Sequence, residues 1–349
     1  MVALPADAGL LAVHVLLAAF AGGALGAALG AMQTLGLAGA VVVLGEVTPG
    51  TTGPLVGAPP AAGSNPLTAL VGLGPPLGPH VAFAGGVAAT AYAARKGYLD
   101  TDFDYYEAKH VTLPLGSRPD VLVVGGVFGV VGYWLTGISV RFGLPWEPVA
   151  VSVVLTGLLH RLALGYPLVG SLSTDMLDMT PYEEGTRRMA GDGNQPESMT
   201  GRPVVEPWLP DHYEWRSVGL LGVVVGLFAG FLAVETGSYY LAFGLALATL
   251  LVLAAGVDRL PVTHHMALPA SIGALALPGV DPAIALAVAA ALGLLGGLVG
   301  ELAQRLLYAH GDTHLDPSFV SILVTSVLIA VLDVAGVFSQ SAIPTAGLA

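Results

Sequence analysis

The sequence predicts an all-α, polytopic transmembrane helix bundle: about nine spans, two re-entrant half-helices and an inverted internal repeat. Three observations carry that expectation. Of 349 residues, 54% are hydrophobic and only 10% are charged, with a mean hydropathy of +0.77. A water-soluble domain carries far more charge than that. Apolar runs of about 18 residues or more recur along the chain, long enough to cross ~30 Å of hydrocarbon at ~1.5 Å per residue. Glycines recur at three- and four-residue spacing inside several of those runs, where they let helix backbones pack closely.

Taken in order, the first run spans about Ala8 to Gly30, the second Thr34 to Val47 and the third His80 to Ala94. The fourth and fifth cover Asp120 to Val140 and Pro148 to Leu168, and the sixth and seventh Ser217 to Glu235 and Ser238 to Val257. The eighth and ninth run from Pro282 to Leu307 and from Pro317 to Phe338. The opening MVALPADAG has no positive n-region, so the first run reads as a retained helix rather than a signal peptide. Two shorter apolar pieces, Pro66–Leu73 and Met266–Leu277, end at the Pro/Gly breaks Gly74–Pro79 and Pro278–Pro282. Each is too short to span, so each is expected to enter the membrane and stop. If Met266–Leu277 instead crosses fully, the later turn HGDTHLDP moves to the other side.

Three anchors recur in the same order. Phe20-Ala21-Gly22 pairs with Phe228-Ala229-Gly230, the stretch from Gly78-Pro79 with that from Asp281-Pro282, and Arg118-Pro119 with Asp316-Pro317. The implied organisation is a first repeat at 1–140, a linking helix at 141–169, a polar loop at 170–216, a second repeat at 217–338 and a tail at 339–349. Five crossings before the second repeat would invert it. Glycine runs GGVFGVVG (from Gly125) and GLLGGLVG (from Gly293) mark tight packing, within the chain or between subunits of a homo-oligomer.

Net charge is −12, with twelve Lys and Arg against twenty-four Asp and Glu. This acid-rich, lysine-poor balance resembles that of multi-pass membrane proteins from extreme halophiles. It argues against a nucleic-acid partner, which wants a basic face. With the loop after the third run placed in the cytoplasm, Lys and Arg concentrate on that side, which puts the N-terminus outside and the 170–216 loop inside, in the cell membrane.

Half-length helices feeding full ones resemble the architecture of inverted-repeat secondary transporters, and that resemblance implies a site where broken helices meet at mid-membrane. The expected pathway residues are Thr68, His80, Ser271 and Asp281 at the breaks, with Asp333 and His14 as proton or cation carriers, and His160-Arg161, of which one faces the interior while the other, Arg161, snorkels toward the cytoplasmic side. Glu301 and Arg305, four apart, read as an ion pair. His310, Asp312 and His314, with His264-His265, are candidate metal ligands; the competing reading is a polar turn whose Asp316 caps the last helix, with Pro317 at its first position.

No GxSxG, P-loop, GxGxxG or HExxH is present, and there is no cysteine, so thiol chemistry and disulfides are excluded and no cofactor is expected. The expected partners are the bilayer and a small solute or ion. Three functions remain in play: a secondary transporter or channel; a structural or accessory subunit of a membrane complex; and an intramembrane, metal-dependent enzyme.

Overall fold

The computed structural model describes residues 10–48, 65–170, 175–189, 200–257 and 259–347. The Gly/Pro-rich connection 49–64, the N-terminal stretch 1–9 and part of the long loop lie outside the described residues. The described chain is all-α, with twelve helices and no strand beyond an isolated bridge between Arg187 and Pro203.

The helices follow the apolar runs. They are α1 (Val13–Leu29), α2 (Ala31–Val47), α3 (Ala82–Arg95), α4 (Pro119–Arg141) and α5 (Pro148–Leu164), then the single turn α6 (Thr180–Glu183). The second half holds α7 (Trp215–Thr236), α8 (Leu241–Ala248), α9 (Leu250–Ala254), α10 (His264–Leu275), α11 (Pro282–Ala303) and α12 (Pro317–Val334). Proline starts α4, α5, α11 and α12, because its missing N–H falls where no helical partner exists. Gly30, at φ +99°, turns α1 directly into α2.

Among the described residues four helices are long and apolar enough to cross a membrane: α4, α7, α12, and α11 together with the π-helical turn that extends it to Tyr308. Helices α1, α2, α5 and the α8–α9 stretch are equally apolar but shorter. Their outward faces carry large side chains, as in α7, where Leu220, Val224, Leu227, Phe228 and Phe231 are exposed. The inward face of α7 is small: Gly222, Gly226 and Gly230 are buried against α11. Small residues inside and large apolar ones outside reverse the pattern of a soluble helix and suit a lipid surround.

The halves pack by the same rules. Helix α1 lies against α3 and α4, and α7 lies against α10 and α11. Helix α4 also packs on α5, as α11 does on α12. The partners run antiparallel in matching register: Gly23 meets Gly125 and Gly129, and Gly222 meets Gly293. Helix α2 packs on α8, and α5 on α12, across the divide.

This packing departs from one expectation. The turn Thr68–Gly72 is a π-helix resting on α2, and among the described residues it makes no close packing with α10. Helix α10 is instead buried from His264 to Ala274. Its N-terminus meets α12 through His265 and Ser318, and its far end takes Ser339 and Gln340 N–H groups on Ala276 O at 3.1 and 3.2 Å. It therefore traverses the bundle, and the HGDTHLDP turn sits on the same face as the long loops. That side of the bundle is its loop face.

Candidate functional site

Ionisable side chains gather beneath the loop face. Helix α12 begins below the surface: every residue from Tyr308 to Phe319 is buried. A buried helix start needs its orphan N–H groups satisfied, and Asp316 accepts from Ser318 N at 2.8 Å and Phe319 N at 3.1 Å. His314 Nε2 lies 3.3 Å from the other carboxylate oxygen. His265 Nδ1 is 3.2 Å from Ser318 Oγ, and the His264 ring sits between Phe243 and Phe319.

Helix α5 mirrors this start. Glu147 accepts from Ala150 N at 2.6 Å, and its own N–H donates to Ser326 Oγ at 2.9 Å. Ser326 is the tenth residue of α12, so the two helices overlap along their N-terminal halves only. At the other end of the overlap Gly157, tenth in α5, faces Leu315. Both helices carry acid-Pro-x-x-Val-Ser-x-x-x-Thr, as Glu147…Thr156 and Asp316…Thr325. Thr156 Oγ1 donates to Ser152 O, and Thr325 Oγ1 to Ser321 O, both at 2.8 Å.

Arg161 is fully buried rather than reaching for water. It donates to Thr313 Oγ1 at 2.9 Å, Thr313 O at 2.8 Å, Leu307 O at 3.0 Å and Leu168 O, while His160 Nε2 lies 2.9 Å from the same Thr313 hydroxyl. The pair pins the end of α5 to the buried turn. Lys109 and Glu206, from the two loops, form a buried ion pair at 2.7 Å. Lys109 also donates to Tyr308 O at 3.0 Å and lies over the Tyr308 ring. Burial pulls the Lys109 pKa down and the Glu206 carboxylate opposes that. Asp312 is pushed up by burial, against the pull of Lys109, Arg188 and Arg161. Glu301 and Arg305 pair as expected, and Arg305 also holds Leu177 O and Tyr213 O of the long loop.

Two cavities adjoin this layer. The larger, about 540 Å³, is lined by aromatic rings from both loops (Phe103, Tyr105, Tyr182 and Trp208), with Tyr308 and Lys109 deeper in. A second, about 190 Å³, reaches His265, Met266 and Glu301. Trp208, Leu209 and His212 border both. The charges on the larger cavity are matched: Asp104 with Arg187 at 3.1 Å, Asp211 with Arg259 at 3.6 Å and Lys109 with Glu206.

The structure brings His160, Arg161, His264, His265, His310, Asp312 and His314 into this buried region, but among the described residues no three His, Asp or Glu side chains group as metal ligands do. The other expected residues scatter. Thr68 is buried against Glu46, Ser271 Oγ bonds Ala229 O at 3.4 Å, and Asp281 is exposed and caps α11. His80 is buried against Gly132, with neither ring nitrogen paired within the chain. His14 is exposed and Asp333 half-buried near the end of α12. Sequence reasoning gave no site role to Lys109 and Glu206 and read Trp208 as an interfacial aromatic before the sixth run; all three stand in loops without periodicity. It also missed the twin acid-Pro motif, which was in plain view.

The fold and the buried polar layer define an all-α protein with helices of membrane-spanning length and an ionisable centre at one end. The chain belongs to the family of unknown function DUF7973, whose model matches residues 5–346. No curated protein and no solved structure matches it.

Proposed function

We propose that this protein is an integral membrane transporter for a small neutral or zwitterionic solute, loaded from the loop face. The observation that carries the reading is the larger cavity, with aromatic walls and charges already paired with one another. Such a site offers stacking surface beside charges of both signs already paired, so a lone ion meets no net counter-charge, while a neutral solute needs none and a zwitterion can set each of its ends against one member of a pair. Supporting it, α5 and α12 start inside the bundle at acidic N-caps, the arrangement in which half-helix ends frame a solute site.

The finer architecture in this proposal is an inverted repeat of five traverses each, α1–α5 and α7–α12. Its support is the repeated packing, the antiparallel pairing of α2 with α8 and α5 with α12, and the twin acid-Pro motifs. Eleven of the twelve Lys and Arg residues, all but Arg141, lie at or toward the loop face, which makes that face cytoplasmic by the positive-inside rule. The structural-subunit reading has one observation in its favour: the two short segments expected to build a mid-membrane site do not meet.

The test is ligand-induced thermal stabilisation of the purified protein in lipid nanodiscs. Tryptophan (zwitterionic), benzoate (anionic) and choline (cationic) serve as probes. The zwitterion is expected to raise Tm and the Trp208→Ala variant to lose that response. No response to any probe, or an unchanged response in Trp208→Ala, overturns the proposal.

A further inference from the structure

The α2–α8 pair treats its two ends differently. The helices run antiparallel at close range: an added Cβ at Gly39 would meet Leu247 Cβ at 2.4 Å, and one at Gly244 would meet Val42 Cγ1 at 2.7 Å. Toward the loop face, Met32 at the start of α2 and Leu253 at the end of α9 open onto the larger cavity. Toward the opposite face the pair is tied shut. One Glu46 oxygen accepts from Thr68 Oγ1 at 2.7 Å and the other from Ser238 Oγ. Ser238 Oγ in turn accepts from Tyr240 N at 3.1 Å and Leu241 N at 3.0 Å, fixing the first turn of α8. Thr68 belongs to the first half and Ser238 to the second, so a single carboxylate bridges the halves.

The rule that relates the halves also relates these ends. Exchanging α1–α5 with α7–α12 places α2 on α8, and because the two are antiparallel it carries the loop-face end of the pair onto the Glu46 end. We infer that the far ends of α2 and α8 can part as the loop-face ends do, and that Glu46 is the latch holding them closed. Opening that end requires Glu46 to release Ser238. The inference rests on the transport reading with inverted halves. Its geometry explains why a carboxylate here spends both oxygens on hydroxyls from opposite halves.

The native chain has no cysteine, so a single Val42→Cys reports on this interface. Val42 is fully buried. The variant is challenged in sealed vesicles with a membrane-impermeant maleimide on the Thr236 side. With Glu46 present, labelling is slow. Adding Glu46→Ala, or separately Ser238→Ala, is expected to speed labelling from that side about tenfold or more, as when a charge-assisted hydrogen bond no longer favours the closed form. Labelling of Met32→Cys from the loop side should fall in the same backgrounds. Should Glu46→Ala fail to fold, Ser238→Ala decides the matter, since it keeps Glu46 bonded to Thr68. Unchanged labelling of Val42→Cys in a folded variant overturns the inference, as does equal labelling from both sides. Because the readout uses no solute, its result stands apart from the nanodisc test: a latch that opens without any probe binding sinks the solute assignment, and binding without a responsive latch sinks only this inference.

Discussion

Removing the Glu206 charge tests how the loop face is held. Glu206 accepts from Lys109 Nζ at 2.7 Å and from Tyr106 N at 3.1 Å, and its own N–H donates to Ala309 O at 3.0 Å. Both partner side chains are essentially inaccessible. Glu206→Gln preserves shape and an acceptor for Tyr106 but strands a buried ammonium, a loss of about 3–5 kcal/mol. At ~2 cal/mol/K of unfolding entropy per residue, that is a fall in Tm on the order of 5 °C for a chain of this length. Lys109→Met with Glu206→Gln removes both charges and should recover most of the loss, since well-packed apolar replacements of buried pairs are often neutral. Lys109 already holds its proton less tightly than the ordinary 10.5, and without Glu206 less tightly still. The folded variant therefore sheds the proton first, and its deficit shrinks as pH rises toward 10.5. Thermal unfolding in nanodiscs, across pH, reads all of this. A Tm within 1 °C of the parent for Glu206→Gln, or a double variant as unstable as the single (both outside the ~5 °C expected), would refute the buried-pair argument.

Three further outcomes are expected. Gly132→Ala places a Cβ 1.6 Å from His80 O, a backbone atom that cannot turn aside, so it should cost ~3 kcal/mol or more; Gly97→Ala, in open space at φ +67°, should cost only about 1 kcal/mol, as compared by chemical denaturation. Asp316→Ala and Glu147→Ala each strip a buried helix cap and should lose about 1–2 kcal/mol, whereas Asp316→Asn, which can still accept from Ser318 and Phe319, should lose less. Burial raises the Asp312 pKa above 3.8, so the folded state keeps that proton longer and loses stability as pH climbs from 3.8 through the folded value. Asp312→Asn should flatten that slope in a pH-resolved melting series, and an unaltered slope contradicts the burial assignment.

The helices were legible because their causes are local. Proline at Pro119, Pro148, Pro282 and Pro317 fixed four helix starts, and apolar length located the rest to within a few residues. Asp316 as a cap and the Glu301–Arg305 pair were readable for the same reason, since each lies within one helical turn. For the proposed repeat a second anchor was equally readable. Arg118-Pro119 shares only its proline with Asp316-Pro317, while Glu147-Pro148 carries the acid, the Val-Ser step and the threonine. The buried centre was only half visible. His160, Arg161 and the 310–316 turn stood out as polar residues in or beside apolar runs, yet nothing local says that Arg161 turns inward to Thr313. Lys109, Glu206 and Trp208 meet through the folding of two irregular loops onto the bundle, and no periodicity in either loop encodes that meeting.

Two halves crossing the membrane in opposite senses, with the long loops together on one side, form the central claim. It is tested most directly by single cysteines at four exposed positions: Ser117, Glu214, Thr236 and Ser339. Each is challenged with a membrane-impermeant thiol reagent on either side of intact cells. Ser117 and Glu214 should be reached only from the cytoplasm, and Thr236 and Ser339 only from outside. Labelling of Glu214 and Thr236 from the same side would mean that α7 does not cross, and the inverted arrangement would fall with it.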